Sequence, residues 1–475
     1  MRFIWALLAI GLATAAHART ATGPIDAVIA TELPMSGAPG IAWAVVEGGE
    51  IASGARGEVL IGSNRPVTPD TPFLLGSISK SITAMALMQL IEAGTVELDA
   101  PVSRYLDVFR GRPPGAITIR QLLSHTSGFS TWQGNDTDFN RTPGGNDLQR
   151  QVARIAQWTP AHPPGARWQY SNANYQILGA VIEAVSGQGY ASYVEARILK
   201  PIGMEDSFVS DGARHDSIAV GHQPWFSSKR PIRDSRTNRA NAPAGGVIST
   251  ASDMALYLAT MMNGQDDVIS AQSKAAMMRP ASPASPDYGF GWSLDSNNGG
   301  AYHSGLTPGI ETLAVLSPAE GRGVIILVNA NSGMGFGENA GLFSGVSASA
   351  LGRDGNNSRG SWGRKFLFLT FALMPVLFVT GAGLAWFRRS GLRAKSGAFG
   401  AFSLWFPVLM TLALAWVSVW LIPQLFGVSI RALSLYVPDF ALLLVATAVT
   451  GILWAVFRLV VFYSGQAMPG RLTTA

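Results

Sequence analysis

The sequence predicts an α+β domain that is followed by three transmembrane helices. Within residues 19–335, strand-like patterns lie near both ends and helical patterns lie between them. This order is typical of an antiparallel sheet that is built from both ends of the domain and stands beside a helical lobe. Charged residues make up only 14% of the 475-residue chain, against about 25% in an average soluble domain. Part of the chain is therefore expected to lie in lipid.

Two strand pairs define the predicted sheet. Residues 40–46 and 51–60 form the first pair, and residues 310–316 and 323–328 form the second. Each pair consists of two apolar runs that are separated by a short turn, which is the pattern of a β-hairpin.

Three helical patterns lie between the strand pairs, and a Gly or Pro ends each of them. They cover residues 77–93, 174–185 and 190–199. Residues 336–363 are rich in Gly, Ser and Asn, and this composition predicts a linker with one short helix.

Composition and charge exclude several classes of protein. The chain has no cysteine, which excludes disulfide scaffolds, Cys-ligated zinc, iron–sulfur clusters and a thiol nucleophile. The net charge is −4 over residues 19–335 and +8 from residue 336 onward. The basic residues therefore flank the apolar stretches of the tail, a pattern of membrane topology, and we predict no nucleic-acid binding.

The N-terminus predicts a secretory signal peptide over residues 1–18. Met1-Arg2 precedes an apolar run, and the small-residue triplet Ala16-His17-Ala18 follows it. A membrane anchor needs about 20 apolar residues, and this run is shorter. We therefore expect cleavage after Ala18 and export of the domain at residues 19–335.

The predicted membrane anchor covers residues 364–475. Its three apolar stretches lie at about residues 366–387, 401–422 and 440–463, and each is long enough to cross about 30 Å of hydrocarbon as a helix. We expect the lipid bilayer to be a partner of the chain. A further protein partner within the membrane stays unidentified.

The loops predict the orientation of the anchor. Four basic residues follow the first stretch, whereas the next loop holds only Arg431. The positive-inside rule places the first loop and the C-terminus in the cytoplasm, and the catalytic domain in the periplasm of a bacterial inner membrane. Arg359, Arg364 and Lys365, on the outer side of the first stretch, oppose this orientation.

Ser77 and Lys80 form the first candidate motif. They lie three residues apart in a helical pattern, so both side chains share one face of the helix. The lysine can then stabilise a serine alkoxide or accept its proton. The apolar sequence around the pair supports a task for the lysine, since burial of an idle ammonium is costly.

Tyr170-Ser171-Asn172 is the second candidate motif. A tyrosine near an ammonium can act as the base for a serine, and an amide can hold both the lysine and a substrate carbonyl. Read alone, the tripeptide equally fits a turn with Asn172 as a helix cap.

His303-Ser304-Gly305 is the third candidate motif, just before the last strand pair. The His or Ser can bind a substrate carboxylate, and the glycine lets a substrate backbone come close. Read alone, this tripeptide equally fits the edge of a hairpin.

The order of the three motifs resembles the serine β-lactamase and D,D-peptidase superfamily, in particular its class C branch. Four further stretches are similar to structural signatures of that family. These are residues 122–128 (LLSHTSG), 163–165 (PPG), 245–250 (GGVIST) and 288–292 (YGFGW). The resemblance covers residues 25 to 331 and implies a β-lactamase/transpeptidase-like fold.

The resemblance implies an acyl-enzyme mechanism. Ser77 would be the nucleophile, Lys80 its activating partner and Tyr170 the general base or proton shuttle. The backbone N–H groups of Ser77 and Leu306 would form the oxyanion hole.

The resemblance also implies the substrate-binding residues, which are Asn172, His303 and Gly305. The third motif is His-Ser-Gly, which is closer to peptidase and esterase members than to efficient class C β-lactamases. In its three C-terminal spans, the chain resembles periplasmic D-amino peptidases that remove an acyl cap from peptide precursors.

We therefore expect a membrane-anchored periplasmic serine hydrolase. Its expected substrates are D-amino-acid-containing peptides, either cell-wall peptides or peptide precursors. An esterase or a β-lactamase of the same family remains an alternative, and so does a sensor that binds a ligand without turnover. We expect no cofactor and no metal, since the histidines show no ligand spacing, and we expect His125 to be a structural hydrogen-bonding residue.

Overall fold

The computed structural model describes residues 23–135, 147–233, 237–296, 298–353 and 362–466. The predicted signal peptide lies outside the described residues. The chain divides into two compact units. The first runs to Gly333 and includes Gly337–Gly360, and the second comprises Met334–Phe336 and everything from Ser361 onward.

The first unit contains eleven strands among its described residues. They are β1 (Gly40–Glu47), β2 (Glu50–Gly57), β3 (Phe73–Leu74), β4 (Phe208–Val209), β5 (His222–Trp225), β6 (Ser228–Pro231), β7 (Val247–Ser249), β8 (Ser293–Asp295), β9 (Gly300–Thr307), β10 (Ile310–Ser317) and β11 (Arg322–Val328).

Its α-helices lie mostly between β2 and β8. They are α1 (residues 23–36), α2 (Ser79–Glu92), α3 (Ile119–Leu123), α4 (Thr131–Asn135), α5 (Asp147–Ile155), α6 (Asn172–Ser186), α7 (Tyr190–Val194), α8 (Lys200–Ile202), α9 (Ala242–Gly245), α10 (Ala251–Met262), α11 (Ala271–Met277) and α12 (Ala340–Leu351).

The main sheet has six strands in the order β2-β1-β11-β10-β9-β8. Every neighbouring pair is antiparallel, which confirms the predicted α+β fold and both predicted strand pairs. Strands from the two ends of the unit meet at its centre, where Ile41 pairs with Val328. A three-stranded sheet, β3-β7-β4, and the hairpin β5-β6 complete the unit.

Helices cover both faces of the main sheet, which explains why seven of the eight residues of β1 are buried. Ala42, Ala44 and Val46 face the helical lobe. Ile41, Trp43 and Val45 face the opposite side, where they pack with residues of α1 and α12. Buried alanines on the lobe side leave room for a helix to lie close to the strand.

Helix α12 lies within residues 336–363, the segment whose composition predicts a linker with one short helix. Three of its residues, Leu342, Val346 and Ala350, are buried in one cluster with Ile25 and Ile29 of α1. The helix therefore belongs to the packed outer layer of the first unit.

The predicted central helices are present, with local differences in geometry. The predicted helix over residues 77–93 begins with a 3-10 turn, Gly76–Ile78, and continues as α2. The predicted helix over residues 190–199 begins as α7 and continues as a π-helical segment, Glu195–Leu199.

The second unit contains α13 (Trp362–Phe387), α14 (Arg389–Arg393), α15 (Gly397–Trp416), α16 (Ile422–Leu425), α17 (Ile430–Tyr436) and α18 (Pro438–Gln466). Three helical stretches are long and apolar enough to cross a membrane. They are Trp362–Phe387, Gly397–Leu425 and Pro438–Gly465, with mean hydropathies of 2.1, 1.9 and 2.4. They contain the three predicted spans and extend each by a few residues.

Candidate active site

Ser77 and Lys80 lie together where the 3-10 turn enters α2. The Lys80 Nζ donates to Ser77 Oγ at 3.0 Å, to Asn172 Oδ1 at 2.8 Å and to the Ala244 carbonyl at 2.6 Å. Lys80 is fully buried, whereas Ser77 is half-buried. The serine hydroxyl is thus reachable from solvent while the amine that holds it is not.

Tyr170 joins this pair from the loop before α6. The Lys80 Nζ lies 4.9 Å from the centroid of the Tyr170 ring, a cation–π distance. The three residues that the sequence predicts as catalytic therefore meet in one place, as a direct contact between Ser77 and Lys80 and a close approach of Lys80 to Tyr170.

Asn172 is fixed at both ends of its amide. Its Oδ1 accepts from Lys80, and its Nδ2 donates to Asn135 Oδ1 at 2.9 Å. Asn172 is the first residue of α6, and the capping position belongs to Ser171. The Asn172 amide therefore orients Lys80, which is one of the two tasks that the sequence predicts for Asn172.

His303 differs from the expectation that it binds a substrate carboxylate directly. Its Nδ1 lies 2.8 Å from the Ser304 carbonyl and its Nε2 lies 3.1 Å from the Tyr288 hydroxyl. Since a carbonyl only accepts, Nδ1 carries the hydrogen and Nε2 accepts. Both ring nitrogens are therefore engaged by protein groups.

The His303 imidazole is also uncharged. Burial, together with the nearby Lys80 charge, lowers the pKa of His303 to about 3. A neutral ring with both nitrogens engaged offers no cation to a substrate. It packs against the base instead, with 6.2 Å between the centroids of the His303 and Tyr170 rings.

Gly305 also differs from its expected role. A Cβ at this position would lie 1.9 Å from the Leu75 carbonyl oxygen and 2.1 Å from Thr312 Oγ1, and Thr312 Oγ1 donates to that same carbonyl at 2.7 Å. The absence of a side chain at Gly305 therefore makes room for the Leu75 backbone. The expectation from the sequence was that it makes room for a substrate.

Gly76 creates a second close approach between β9 and the nucleophile turn. It has φ +57°, and a Cβ there would lie 2.6 Å from the backbone nitrogen of Leu306. The two glycines thus bring the Leu306 nitrogen beside the turn that carries Ser77. Two N–H donors on neighbouring backbone segments are what stabilisation of an oxyanion requires.

Several residues of the site carry no signal of their own in the sequence. Asn135 and the Ala244 carbonyl reach the site only through the tertiary fold. Tyr175 and Tyr288 lie within a predicted helix and a signature stretch, without a predicted role. Burial raises the pKa of both phenols well above the ordinary value, so both stay neutral and serve as packing and hydrogen-bonding groups.

An apolar rim borders the site. Trp168 is 44% exposed and Leu306 is 49% exposed. The Trp168 ring lies 6.1 Å from that of Tyr288, and Leu306 follows Gly305 on β9. Such exposed apolar groups beside a nucleophile can bind an apolar part of a substrate.

Among the described residues, no group of three or more His, Asp or Glu side chains could hold a metal ion. A serine held by a buried lysine, with a tyrosine and the Leu306 nitrogen nearby, is the arrangement that an active-serine hydrolase needs to work through an acyl-enzyme.

The family comparison agrees with this class. The Beta-lactamase family matches residues 25–343, about two thirds of the chain. The chain belongs to this family.

Two curated relatives and one solved structure illustrate the range. Protein flp of Staphylococcus aureus (strain MRSA252) is 26% identical over 317 residues, which cover 65% of this chain and 63% of flp. Esterase EstB of Burkholderia gladioli is 36% identical over 186 residues, 36% of this chain and 47% of EstB. A D-stereospecific amidohydrolase from Streptomyces sp. is 27% identical with a TM-score of 0.55, and the match covers 70% of this chain and 99% of that one. The chain thus spans less than two thirds of the length of these curated relatives.

Proposed function

We propose that this protein is a membrane-anchored serine peptidase or amidase that cleaves small D-amino-acid-containing peptides. The observation that carries the proposal is the contact of the buried Lys80 Nζ with the accessible Ser77 Oγ at 3.0 Å. The likeness to a D-stereospecific amidohydrolase supports the substrate class. Both cell-wall peptides and capped peptide precursors fit this class.

The reaction begins with attack of Ser77 Oγ on the scissile carbonyl carbon. The hydroxyl proton passes to Tyr170 in its phenolate form, directly or through Lys80, while the lysine charge stabilises the anion that forms. The N–H groups of Ser77 and Leu306 hold the carbonyl oxygen as it becomes negative. The proton then goes to the leaving amine, the C–N bond breaks, and water hydrolyses the acyl-enzyme in a second cycle of the same steps.

The neutral His303 favours one position of the scissile bond. Both His303 nitrogens are engaged by protein groups, so the ring offers no positive charge to a substrate carboxylate beside β9. Such a carboxylate would lose its water without gaining a cationic partner, which is costly. We therefore infer a preference for substrates that are uncharged at this position, such as internal amides. Carboxypeptidase and β-lactamase substrates fit less well because they carry a carboxylate next to the scissile bond.

Ester hydrolysis is the second candidate function. Of the two curated relatives described above, Esterase EstB has the higher sequence identity to this chain. An ester places no charged group beside β9 and has an easier leaving group, so the same residues can cleave it.

The anchor supports a location at the inner membrane of a bacterium. Three helices are apolar and long enough to cross a bilayer, and the predicted signal peptide would place the first unit in the periplasm. The basic loop at residues 388–395 would then face the cytoplasm, as would the C-terminus.

Labelling of intact spheroplasts with a membrane-impermeant fluorophosphonate tests site and location together. We expect the wild type to be labelled and Ser77→Ala to be unlabelled. The Ser186 Oγ donates to the backbone carbonyls of Ile182 and Gln188. Ser186→Ala is therefore the matched control, and this variant should be labelled normally. A C-terminal tag on the same protein should resist external protease.

Three outcomes would contradict the proposal in different ways. Labelling that survives Ser77→Ala would remove the nucleophile. Labelling only after lysis would reverse the orientation. Normal labelling without turnover of any D-peptide amide, L-peptide amide or ester would favour the non-turnover sensor, whereas turnover with at least a tenfold preference for the D-peptide supports the peptidase.

A further inference from the structure

His125 lies directly against Tyr170 in an unusual backbone conformation. Its φ is +57°, in the left-handed region that residues with a side chain rarely adopt. The residue is only 1% exposed. A strained conformation persists where the surrounding structure demands it, often at a functional site, so this placement calls for a reason beyond packing.

The residue binds the tyrosine segment at three consecutive positions. The His125 carbonyl accepts the Gln169 N–H at 2.8 Å, and its Nδ1 accepts the Ser171 N–H at 3.2 Å. Between them, the centroid of the imidazole lies 4.4 Å from that of the Tyr170 ring, with 35° between the planes. A single residue therefore holds the N–H groups of the residues before and after Tyr170 as well as one face of its ring.

The imidazole is itself held in one orientation. The Asn174 Nδ2 lies 2.9 Å from Nδ1, and the Asn174 Oδ1 accepts from Ser127 Oγ at 2.6 Å, which fixes the direction of the amide. Two N–H donors point at Nδ1, so Nδ1 is an acceptor and the ring hydrogen lies on Nε2.

The ring adds no charge to the site. Burial, with a contribution from the Lys80 charge, holds the pKa of His125 well below its ordinary value. Lys80 thus has no second cation at this position, and the ring contributes two properties only, which are a hydrogen-bond acceptor and a flat aromatic face.

We propose that His125 is the positioning residue of the general base, and that its imidazole aims the phenol oxygen of Tyr170 at Ser77. This inference rests on the proposed function, in which Tyr170 takes the Ser77 proton. It extends the structural role that the sequence predicts for His125 to the proton-transfer step.

Substitutions can separate the two properties. His125→Asn retains an acceptor oxygen near the Nδ1 position and tolerates the left-handed conformation, but it removes the aromatic face. His125→Phe retains the face and removes the acceptor. His215→Asn is the matched control, because His215 pairs with Asp211 at 2.9 Å, away from the site residues.

The measurement is turnover of an activated p-nitrophenyl ester by the purified full-length chain in detergent. Rates are expressed per competent serine, titrated by exhaustive fluorophosphonate labelling. Misplacement of a reacting group by about 1 Å costs about 10²-fold in rate. We expect His125→Asn to lower kcat about 10- to 100-fold with KM within about twofold, and His215→Asn to leave both unchanged.

A double-mutant cycle distinguishes positioning from general stability. In the Tyr170→Phe background no phenol remains to be aimed, so His125→Asn should lower kcat no further. An unchanged kcat in the single variant, or an equal loss in both backgrounds, would overturn the inference. Failure of Ser77→Ala to abolish turnover would instead overturn the proposed function. If His125→Phe does not fold, the cycle with His125→Asn decides alone.

Discussion

Two buried lysines of the first unit differ in the partners that hold them. Lys80, at the active site, donates to a hydroxyl, an amide oxygen and a backbone carbonyl, all of which are neutral. Lys274, in α11, lies 2.6 Å from the carboxylate of Asp267 and also donates to Asn263 and to the Gln265 carbonyl. Both side chains are at most 2% exposed.

Under the proposed function, the difference separates a catalytic from a structural cation. A carboxylate partner already compensates the charge of Lys274, which therefore ties a loop to α11 and does little else. The neutral acceptors of Lys80 hold its position without neutralising it. The Lys80 charge can then stabilise the negative charge that develops when a proton leaves Ser77.

The largest expected effect comes from replacing each lysine with methionine. Lys80→Met should lower kcat/KM at least about 10³-fold, because both serine activation and anion stabilisation are lost. Its stability should stay within about 1 kcal/mol of the wild type, since the variant loses three hydrogen bonds but also the desolvation cost of the buried ammonium. Lys274→Met should retain kcat/KM and lose about 2 kcal/mol, because Asp267 loses its partner.

Ester hydrolysis and thermal unfolding of the two purified variants provide the check. The interpretation would be wrong if both variants lost activity to the same degree, or if Lys80→Met unfolded as easily as Lys274→Met.

The second prediction concerns the backbone next to the active lysine. Gly305→Ala places a Cβ within 1.9 Å of the Leu75 carbonyl, so β9 must move away from the nucleophile turn. Loss of one oxyanion donor costs about 10²- to 10³-fold in kcat, and we expect a loss of this size. Gly189→Ala is the control, since its Cβ meets no atom within 4 Å, and equal kcat values for the two variants would exclude the close approach as a cause.

The smallest expected effect is on the pH dependence of stability, which should differ between the histidines of the active site and Asp267, the partner of Lys274. The folded-state pKa of His303 is about 3, far below the ordinary 6.5, and the pKa of His125 is also lowered. Below pH 6.5 these two histidines bind protons in the unfolded chain but remain neutral in the folded chain. Stability should therefore fall by up to about 1.4 kcal/mol per pH unit because of His303 as the pH drops from 6.5 towards 3, and His125 acts in the same direction.

Asp267 behaves differently over the same range. Burial opposes ionisation of Asp267, but hydrogen bonds from Asn263 and Lys274 lower its pKa below 3.8. Its contribution is complete above pH 3.8 and is lost only as the pH falls through the lowered value. Unfolding midpoints at pH 7.5, 6 and 5 should therefore decline in the wild type and decline less in His303→Gln. An equal decline in both would show that His303 is not the cause.

The sequence predicts the active lysine better than it predicts its surroundings. Ser77 and Lys80 are three residues apart on one helix, so local spacing alone brings them together. Asn135 and the Ala244 carbonyl come from distant segments, and a backbone carbonyl has no side-chain signature. His303 could be placed on a strand, but the partners of its two nitrogens depend on how Tyr288 and the Ser304 carbonyl pack around it.

Helix α12 shows the same limit at the level of the fold. Its sequence, AGLFSGVSASAL, has the small and polar residues of a linker and a weak intrinsic helix preference. Packing of Leu342 and Val346 on the sheet face stabilises it as a helix. Periodic strands at residues 40–46 and 323–328 could be predicted because their apolar runs are continuous. For residues 336–363 the composition predicts that one short helix is present, but the bounds and the packing of that helix depend on tertiary contacts.

The central strand pair also determines when the enzyme becomes active during its synthesis. The Gly40 N–H donates to Asn329 Oδ1 at 2.8 Å across 289 residues of chain, so the ribosome must complete nearly the whole domain before β1 can pair with β11. Ser77 and Lys80 are made early but lack the Leu306 nitrogen until β9 emerges. Chains that stop before β9 therefore lack the Leu306 nitrogen, and the candidate site is complete only once the domain has been made in full.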